Sequence, residues 1–142
     1  MCGFFGLHSF QLDKNKKIII SRKAIESLRS RGPDHNDIWL GDNDSLIFSH
    51  NRLSILDLSD KGNQPMISSS GNLVIIYNGE IYNHLDIRTE LKKNSDFSNW
   101  RGKSDTETLL QALEFWGIEK TLEQINGMFA FIVWDKKKKY YI

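Results

Sequence analysis

The sequence has 142 residues and lacks several features that mark particular classes of protein. It contains one cysteine, so no disulfide can form within the chain, which suits a reducing compartment. One cysteine and four scattered histidines give no spacing typical of a zinc site, and we expect no metal. Nineteen basic and eighteen acidic residues leave a net charge of +1, which indicates neither a nucleic acid nor an anionic membrane as partner.

Long apolar runs are also absent. The longest, residues 128–134, is too short to cross a bilayer. The N-terminus has no basic segment and no small-residue cleavage site, so we predict no signal peptide and a cytoplasmic location. Hydrophobic residues make up 39% and charged residues 26%, which is typical of a soluble globular domain. The length fits one domain over residues 1–142.

The pattern of apolar residues predicts layered α+β packing. Residues 104–116 should form a helix, because Ser104 and Glu107 make a capping box and Gly117 is a good stop. Residues 128–134 should form a strand covered on both faces. The isoleucine-rich segment 16–21 should add a strand or lead into a helix. The other predicted strands are 2–7, 45–52, 72–77 and 140–142, and the other predicted helices are 22–30, 83–93 and 119–124.

Cys2 is the first candidate for chemistry. Removal of Met1 would leave a free α-amine on the same residue as the thiol. An α-amine has a pKa of ~7.7–8.0 and a free thiol one of ~8.5, so the amine can act as the local base for a sulfur nucleophile. The alternative is a cysteine that only packs in the first strand. If Met1 is retained, the amine is blocked and we expect no activity.

Arg52 is the last residue of the predicted strand 45–52. Its planar guanidinium could hold a carboxylate through two parallel hydrogen bonds. The alternative is an arginine at a strand end that simply faces solvent.

Asn78 and Gly79 directly follow the strand 72–77. The Asn78 side-chain amide and the Gly79 backbone N–H could together stabilise an oxyanion. The alternative is a hairpin turn, because Asn-Gly is the commonest pair in type I′ turns.

Asp105 lies in the first turn of the helix predicted at 104–116. It could pair with a substrate ammonium group. It could equally stabilise the helix dipole, by ~0.3–1 kcal/mol, and the two roles are compatible.

The blocks MCGFFG, RGPD, HNRLSILDLS, GNQP, YNGEIYNHLDIRTEL, SDTETLL and GMFAFIVWD follow one another in this order. Together they resemble the N-terminal glutaminase domain of the asparagine synthetase B-type, class II glutamine amidotransferases. The resemblance covers nearly the whole chain. It implies an N-terminal-nucleophile hydrolase fold, which is a four-layer αββα sandwich of antiparallel sheets. We expect this sandwich to be incomplete at the C-terminus, since the sequence stops within an apparent hairpin.

The resemblance also implies the chemistry. Cys2 would attack the side-chain amide of L-glutamine, form a thioester and release ammonia. Arg52 would bind the α-carboxylate and Asp105 the α-ammonium group. The resemblance assigns the oxyanion to Asn78 and Gly79, and the rest of the pocket to the backbone of Leu53, Ile55 and Glu80.

We expect no cofactor for this domain. ATP and Mg²⁺ would belong to a synthetase domain in cis, where the ammonia converts aspartate to asparagine. One alternative acceptor is a sugar acid in surface-polysaccharide biosynthesis, and another reading is an inert glutamine-binding or regulatory fragment. The resemblance leaves room for a homodimer. Without the closing strands and the synthetase domain we expect an unpaired sheet edge and a fragment that is inactive alone.

Overall fold

A computed structural model describes residues 1–41, 44–94 and 99–142. The first of its two antiparallel sheets, sheet A, has the strand order β1-β3-β2. Its strands are β1 Gly3–His8, β2 His35–Leu40 and β3 Leu46–Arg52. The second, sheet B, has the order β4-β5-β6-β7. Its strands are β4 Met66–Ile67, β5 Leu73–Ile81, β6 Gly127–Asp135 and β7 Tyr140–Tyr141.

Four α-helices and one short 3₁₀ helix, Asp60–Gly62, accompany the sheets within the described residues. The α-helices are α1 Lys14–Ser27, α2 His84–Asn94, α3 Asp105–Trp116 and α4 Ile118–Gln124. Helix α1 packs on β1 and β3, whereas α3 packs on β5, on α2 and on α4. No helix in the described part of the chain is both long and apolar enough to cross a membrane.

Two apolar clusters hold the layers together. Between the sheets, Leu46 and Phe48 of β3 meet Val74 and Ile76 of β5. On the other face of sheet B, alternate β5 residues such as Ile75 pack against α2 and α3. Strand β5 is therefore buried on both faces, because its successive side chains point to opposite sides of the sheet. The layer order is α1, sheet A, sheet B and then α2 with α3, which confirms the predicted α+β sandwich.

The segment 16–21 belongs to α1, so the strand interpretation is wrong and the helix predicted at 22–30 begins earlier. Asp13 starts this helix, because its side chain accepts a hydrogen bond from the Lys16 N–H at 2.9 Å. The isoleucines that suggested a strand spread around the helix, and Ile19 remains 54% exposed.

Helix α3 begins and ends as predicted, but its capping box is half formed. Ser104 Oγ accepts from the Glu107 N–H at 3.3 Å. The Glu107 carboxylate, however, accepts from the backbone of Arg101 and Gly102 rather than from Ser104. Gly117 ends the helix with φ +80°, a conformation that favours glycine.

Two strand predictions need correction. Strand β6 is covered on both faces only in its second half, where Phe131 and Val133 pack against the cluster next to α3 and Ile132 and Trp134 pack against the cluster between the sheets. In its first half Met128 is 68% exposed. Strand β2 was not predicted, because the polar residues of His35–Leu40 conceal a strand pattern.

Candidate active site

A cavity of about 420 Å³ opens where the ends of β1 and β3 face β5 and the start of α3. All eight predicted site residues line it: Cys2, Arg52, Leu53, Ile55, Asn78, Gly79, Glu80 and Asp105. The sequence-based set is thus brought together in space, and the role of each residue remains a prediction.

Cys2 lies at the start of β1, where it is partly exposed to the cavity. The Leu53 N–H donates to the Cys2 sulfur at 3.4 Å, and the thiol lies 3.7 Å from the Leu53 carbonyl oxygen. Arg31 Nε donates to the Cys2 carbonyl oxygen at 3.0 Å. Met1 also lines the cavity. Because a peptide bond joins Met1 to Cys2, the Cys2 α-amine becomes free only when Met1 is removed.

Arg52 is 6% exposed, so the solvent-facing alternative is wrong. Its Nη1 donates to Ser59 O at 2.7 Å and to Asn63 Oδ1 at 2.8 Å, and its Nη2 donates to Asp57 O. All three acceptors are neutral, and no ion pair neutralises Arg52 within the described residues. A guanidinium has five N–H donors, so two remain for a ligand. The charge of the Asp57 carboxylate acts on Arg52 without forming an ion pair with it, so the buried guanidinium remains suited to binding a carboxylate ligand.

Asp57 holds the loop after β3 against the segment before α3. Its carboxylate accepts from the Ser59 N–H at 2.9 Å, from the Ser59 hydroxyl at 2.6 Å and from the Lys103 N–H at 2.6 Å. Burial by itself would raise the pKa of Asp57, but these hydrogen bonds and the positive charge of Arg52 outweigh it and lower the pKa to about 2. Asp57 is therefore ionised at neutral pH and links the two segments that carry Arg52 and Asp105.

Asn78 and Gly79 lie inside β5, opposite Ala130 and Phe129 of β6, so the hairpin-turn alternative is wrong. In an antiparallel pair, alternate residues direct their backbone groups away from the neighbouring strand. Tyr77 shows which residues these are, because its N–H donates to Gln64 Oε1 at 2.6 Å instead of to β6.

Gly79 has the same orientation as Tyr77, since the two positions are two residues apart. The next residue of this set, Ile81, donates its N–H to Asp105 Oδ2 at 3.0 Å. Between these two occupied donors, the Gly79 N–H has no acceptor among the described residues. It lines the cavity, and a Cβ at this position would collide with the backbone of β6. Gly79 thus presents a free backbone donor of the kind that an oxyanion needs.

Asp105 is the first residue of α3 and is 5% exposed. Its Oδ2 accepts from the Tyr77 hydroxyl at 2.7 Å and from the Ile81 N–H, and its Oδ1 accepts from the Thr106 N–H at 2.9 Å. No cation pairs with it in the described parts of the chain. The helix N-terminus stabilises a negative charge here. A buried carboxylate without a counter-ion makes the position suited to an ammonium group.

His50 and Gln64 were not predicted. His50 is fully buried on β3, and its Nε2 lies 3.0 Å from the Tyr77 carbonyl oxygen. Burial lowers the pKa of His50 to about 4, so the neutral ring donates from Nε2. Gln64 accepts from the Tyr77 N–H and donates to Thr106 Oγ1 at 3.3 Å. These contacts join residues far apart in the sequence, and no local pattern indicates them.

The cavity therefore combines a thiol, a buried cation, a buried anion and a free backbone N–H. The buried cation and the buried anion suit the α-carboxylate and the α-ammonium group of an amino acid. Within residues 1–41, 44–94 and 99–142, no group of three or more His, Cys, Asp or Glu side chains could hold a metal ion.

Comparisons with known proteins place this chain in a family. The model of the glutamine amidotransferase domain matches residues 1–142. Asparagine synthetase [glutamine-hydrolyzing] 3 of Bacillus subtilis is 36% identical over 97% of this chain and 22% of its own length. Asparagine synthetase B [glutamine-hydrolyzing] of Escherichia coli is 36% identical over 100% of this chain and 24% of its own length. The chain thus spans about a quarter of the length of these relatives.

A solved structure shows the same fold. It is glutamine phosphoribosylpyrophosphate (PRPP) amidotransferase from B. subtilis, with a TM-score of 0.70 and 17% identity over 95% of this chain and 35% of that one. At this identity the likeness concerns the fold alone, an α+β N-terminal-nucleophile hydrolase sandwich. The match over residues 1–142 shows that this chain belongs to the glutamine amidotransferase domain family.

Proposed function

We propose that this domain hydrolyses L-glutamine to glutamate and ammonia, with Cys2 as the nucleophile. One observation carries the proposal: a buried arginine and a buried aspartate, neither of which forms an ion pair within the described residues, line one cavity with the thiol. Such charges are costly to bury without partners, and the α-carboxylate and α-ammonium groups of an amino acid would neutralise both.

The substrate would span the cavity. Its α-carboxylate would accept from the two free N–H groups of Arg52, and its α-ammonium would donate to Asp105. The backbone of Leu53, Ile55 and Glu80, which line the cavity, would complete the pocket. The side-chain amide would then lie between the Cys2 sulfur and the Gly79 N–H.

The reaction would begin with transfer of the thiol proton to the free α-amine of Cys2. The sulfur attacks the amide carbon, and the oxygen that becomes negative accepts from the Asn78 side-chain amide and the Gly79 N–H. The C–N bond breaks as the α-ammonium group of Cys2 returns its proton to the leaving nitrogen, which departs as ammonia. Water then attacks the thioester and releases glutamate, and the sulfur regains a proton.

We further propose that the ammonia serves an ATP-dependent amidation of aspartate to asparagine, in a synthetase domain in cis. The long asparagine synthetase relatives support this, although a sugar acid is an alternative acceptor. In this proposal ATP and Mg²⁺ act in the synthetase domain, and the glutaminase reaction needs no cofactor. A cytoplasmic location and a homodimer remain predictions.

Substitution of Cys2 by alanine tests the glutaminase proposal. We expect Cys2→Ala, introduced into the protein together with its proposed synthetase domain, to lower glutamate release by about a thousandfold or more, because the nucleophile is lost. The mass of the intact protein should show a start at Cys2, and a glutamine-like diazoketone should label the wild type at that residue. Thermal unfolding controls for an intact fold.

Equal glutamate release by Cys2→Ala and wild type would refute the assignment. A wild-type protein that begins at Met1 and resists labelling would instead support the non-catalytic alternative.

A further inference from the structure

Tyr77 lines the cavity and uses all three of its polar groups. It is 2% exposed, and its hydroxyl donates to Asp105 Oδ2 at 2.7 Å. Its backbone N–H donates to Gln64 at 2.6 Å, and its carbonyl oxygen lies 3.0 Å from His50 Nε2. One residue thus connects the proposed ammonium-binding carboxylate with the strand that carries the proposed oxyanion donors.

The hydroxyl is a permanent donor. Burial, and next the negative charge of Asp105, raise the pKa of Tyr77 far above its ordinary value. Together with the Ile81 N–H, the hydroxyl fixes Oδ2 of Asp105 against β5. Rotation of the carboxylate is then opposed, and Oδ1, which accepts only from the Thr106 N–H, keeps a lone pair for a ligand.

We propose that Tyr77 is a specificity-determining positioning residue. By orienting Asp105, its hydroxyl makes the pocket prefer an amide that carries an α-ammonium group over the same amide without one. This inference rests on the proposed function, because it assigns to Asp105 the ammonium group of glutamine.

The two roles of Tyr77 are separable. Its backbone is held by Gln64 and His50, which do not depend on its hydroxyl, and Gln64 is itself fixed to Thr106. Loss of the hydroxyl should therefore leave Asn78 and Gly79 in place. Removal of the hydroxyl should therefore weaken substrate binding and raise KM, with kcat unchanged.

The experiment compares two ligands in the Cys2→Ala protein, with and without Tyr77→Phe. The ligands are L-glutamine and glutaramate, which is glutamine without its α-ammonium group. We expect Tyr77→Phe to raise the Kd of glutamine about tenfold, the value of one hydrogen bond to a charged group, and to leave the Kd of glutaramate unchanged. Tyr82→Phe is the matched control, because Tyr82 is 55% exposed and lies outside the cavity.

A double-mutant cycle provides a second measurement. In an Asp105→Asn background, Tyr77→Phe should not weaken glutamine binding further, because the hydroxyl acts through the carboxylate. Kinetics of the Cys2-intact Tyr77→Phe variant should show the change in KM.

Three outcomes would overturn the proposal: unchanged glutamine affinity, an equal loss for both ligands, or an additive effect in the Asp105→Asn background. The retained aromatic ring should preserve the fold, which thermal unfolding checks. If the Cys2→Ala protein with Tyr77 intact binds no glutamine, the proposed function fails first and the inference falls with it.

Discussion

The two sheets contribute differently to the site. Sheet A supplies the thiol of Cys2 and the guanidinium of Arg52, whereas sheet B and α3 supply Asn78, Gly79 and Asp105. Their helix layers differ too. Helix α3 has eight buried residues, while α1 has two, neither of them apolar. The half proposed to bind the amide and the ammonium group is thus built on the well-packed core, and the proposed nucleophile is carried by a sheet with a thinner helix layer.

The halves are joined by a few polar contacts. Asp57 connects the loop after β3 to Lys103, and His50 connects β3 to Tyr77 of β5. Because these contacts are directional, they set the position of one half against the other more closely than apolar packing alone can. The comparison predicts that the free energy of unfolding depends mainly on the core beside sheet B. It also predicts that substrate binding depends on the polar contacts between the two sheets.

The largest effect should come from a deletion in the core beneath sheet B. Leu109 of α3 is fully buried, so Leu109→Ala should lower the free energy of unfolding by about 2–5 kcal/mol. Ile19→Ala on α1 removes an exposed side chain, and a change of under about 0.5 kcal/mol is expected. Urea unfolding measures both values. Equal losses would show that the two helix layers support the fold alike.

The next effect is a dependence of stability on pH, which tests the contact between the sheets. The pKa of His50 is about 4 in the folded protein and 6.5 in its reference state. The unfolded state therefore binds more protons between these values. The contribution of His50 to the free energy of unfolding is fully present above pH 6.5. It is lost as the pH falls towards 4, and the loss is about 3 kcal/mol at most.

Urea unfolding at several pH values from 7 to 4.5 measures this loss. Burial lowers the pKa of His84 as well, so His84 contributes in the same direction. His50→Gln isolates the buried ring, because glutamine can donate to the Tyr77 carbonyl but does not titrate. A slope that stays the same in His50→Gln would exclude His50 as its source. Asp57 acts in a lower window, from pH 3.8 to about 2, since its pKa is depressed.

The parts of the fold that were predicted are those with a strong local signal. Helix α3 was found from its cap residue, its apolar face and Gly117. The eight candidate site residues were predicted from the resemblance of ordered motifs, and all of them line one cavity in the structure. Neither signal reaches Gln64 or His50, whose partners lie 13 and 27 residues away in the sequence.

The errors have more than one cause: pairing between strands overrode a turn preference in β5, and a local helix cap outweighed strand propensity in α1. Asn78-Gly79 has the composition of a turn, but pairing with β6 carries β5 through it to Ile81. Isoleucines 18–20 have the composition of a strand, yet Asp13 begins a helix before them. Arg52 was given a bidentate role from its chemistry alone, and the structure shows that three of its donors hold its own loop.

This internal use of Arg52 sharpens the last and smallest prediction. Lysine has three donors on one nitrogen, so it cannot keep the contacts to Ser59, Asn63 and Asp57 and also bind both oxygens of a carboxylate. Arg52→Lys should therefore raise KM for glutamine about tenfold or somewhat more, about 1.4 kcal/mol, with kcat little changed. Arg29→Lys, at a side chain that is 73% exposed, is the matched control. An unchanged KM would remove Arg52 from the pocket, whereas a matching fall in kcat would mean that its loop positions Cys2 as well, and that the two sheets share the chemistry more evenly than their packing suggests.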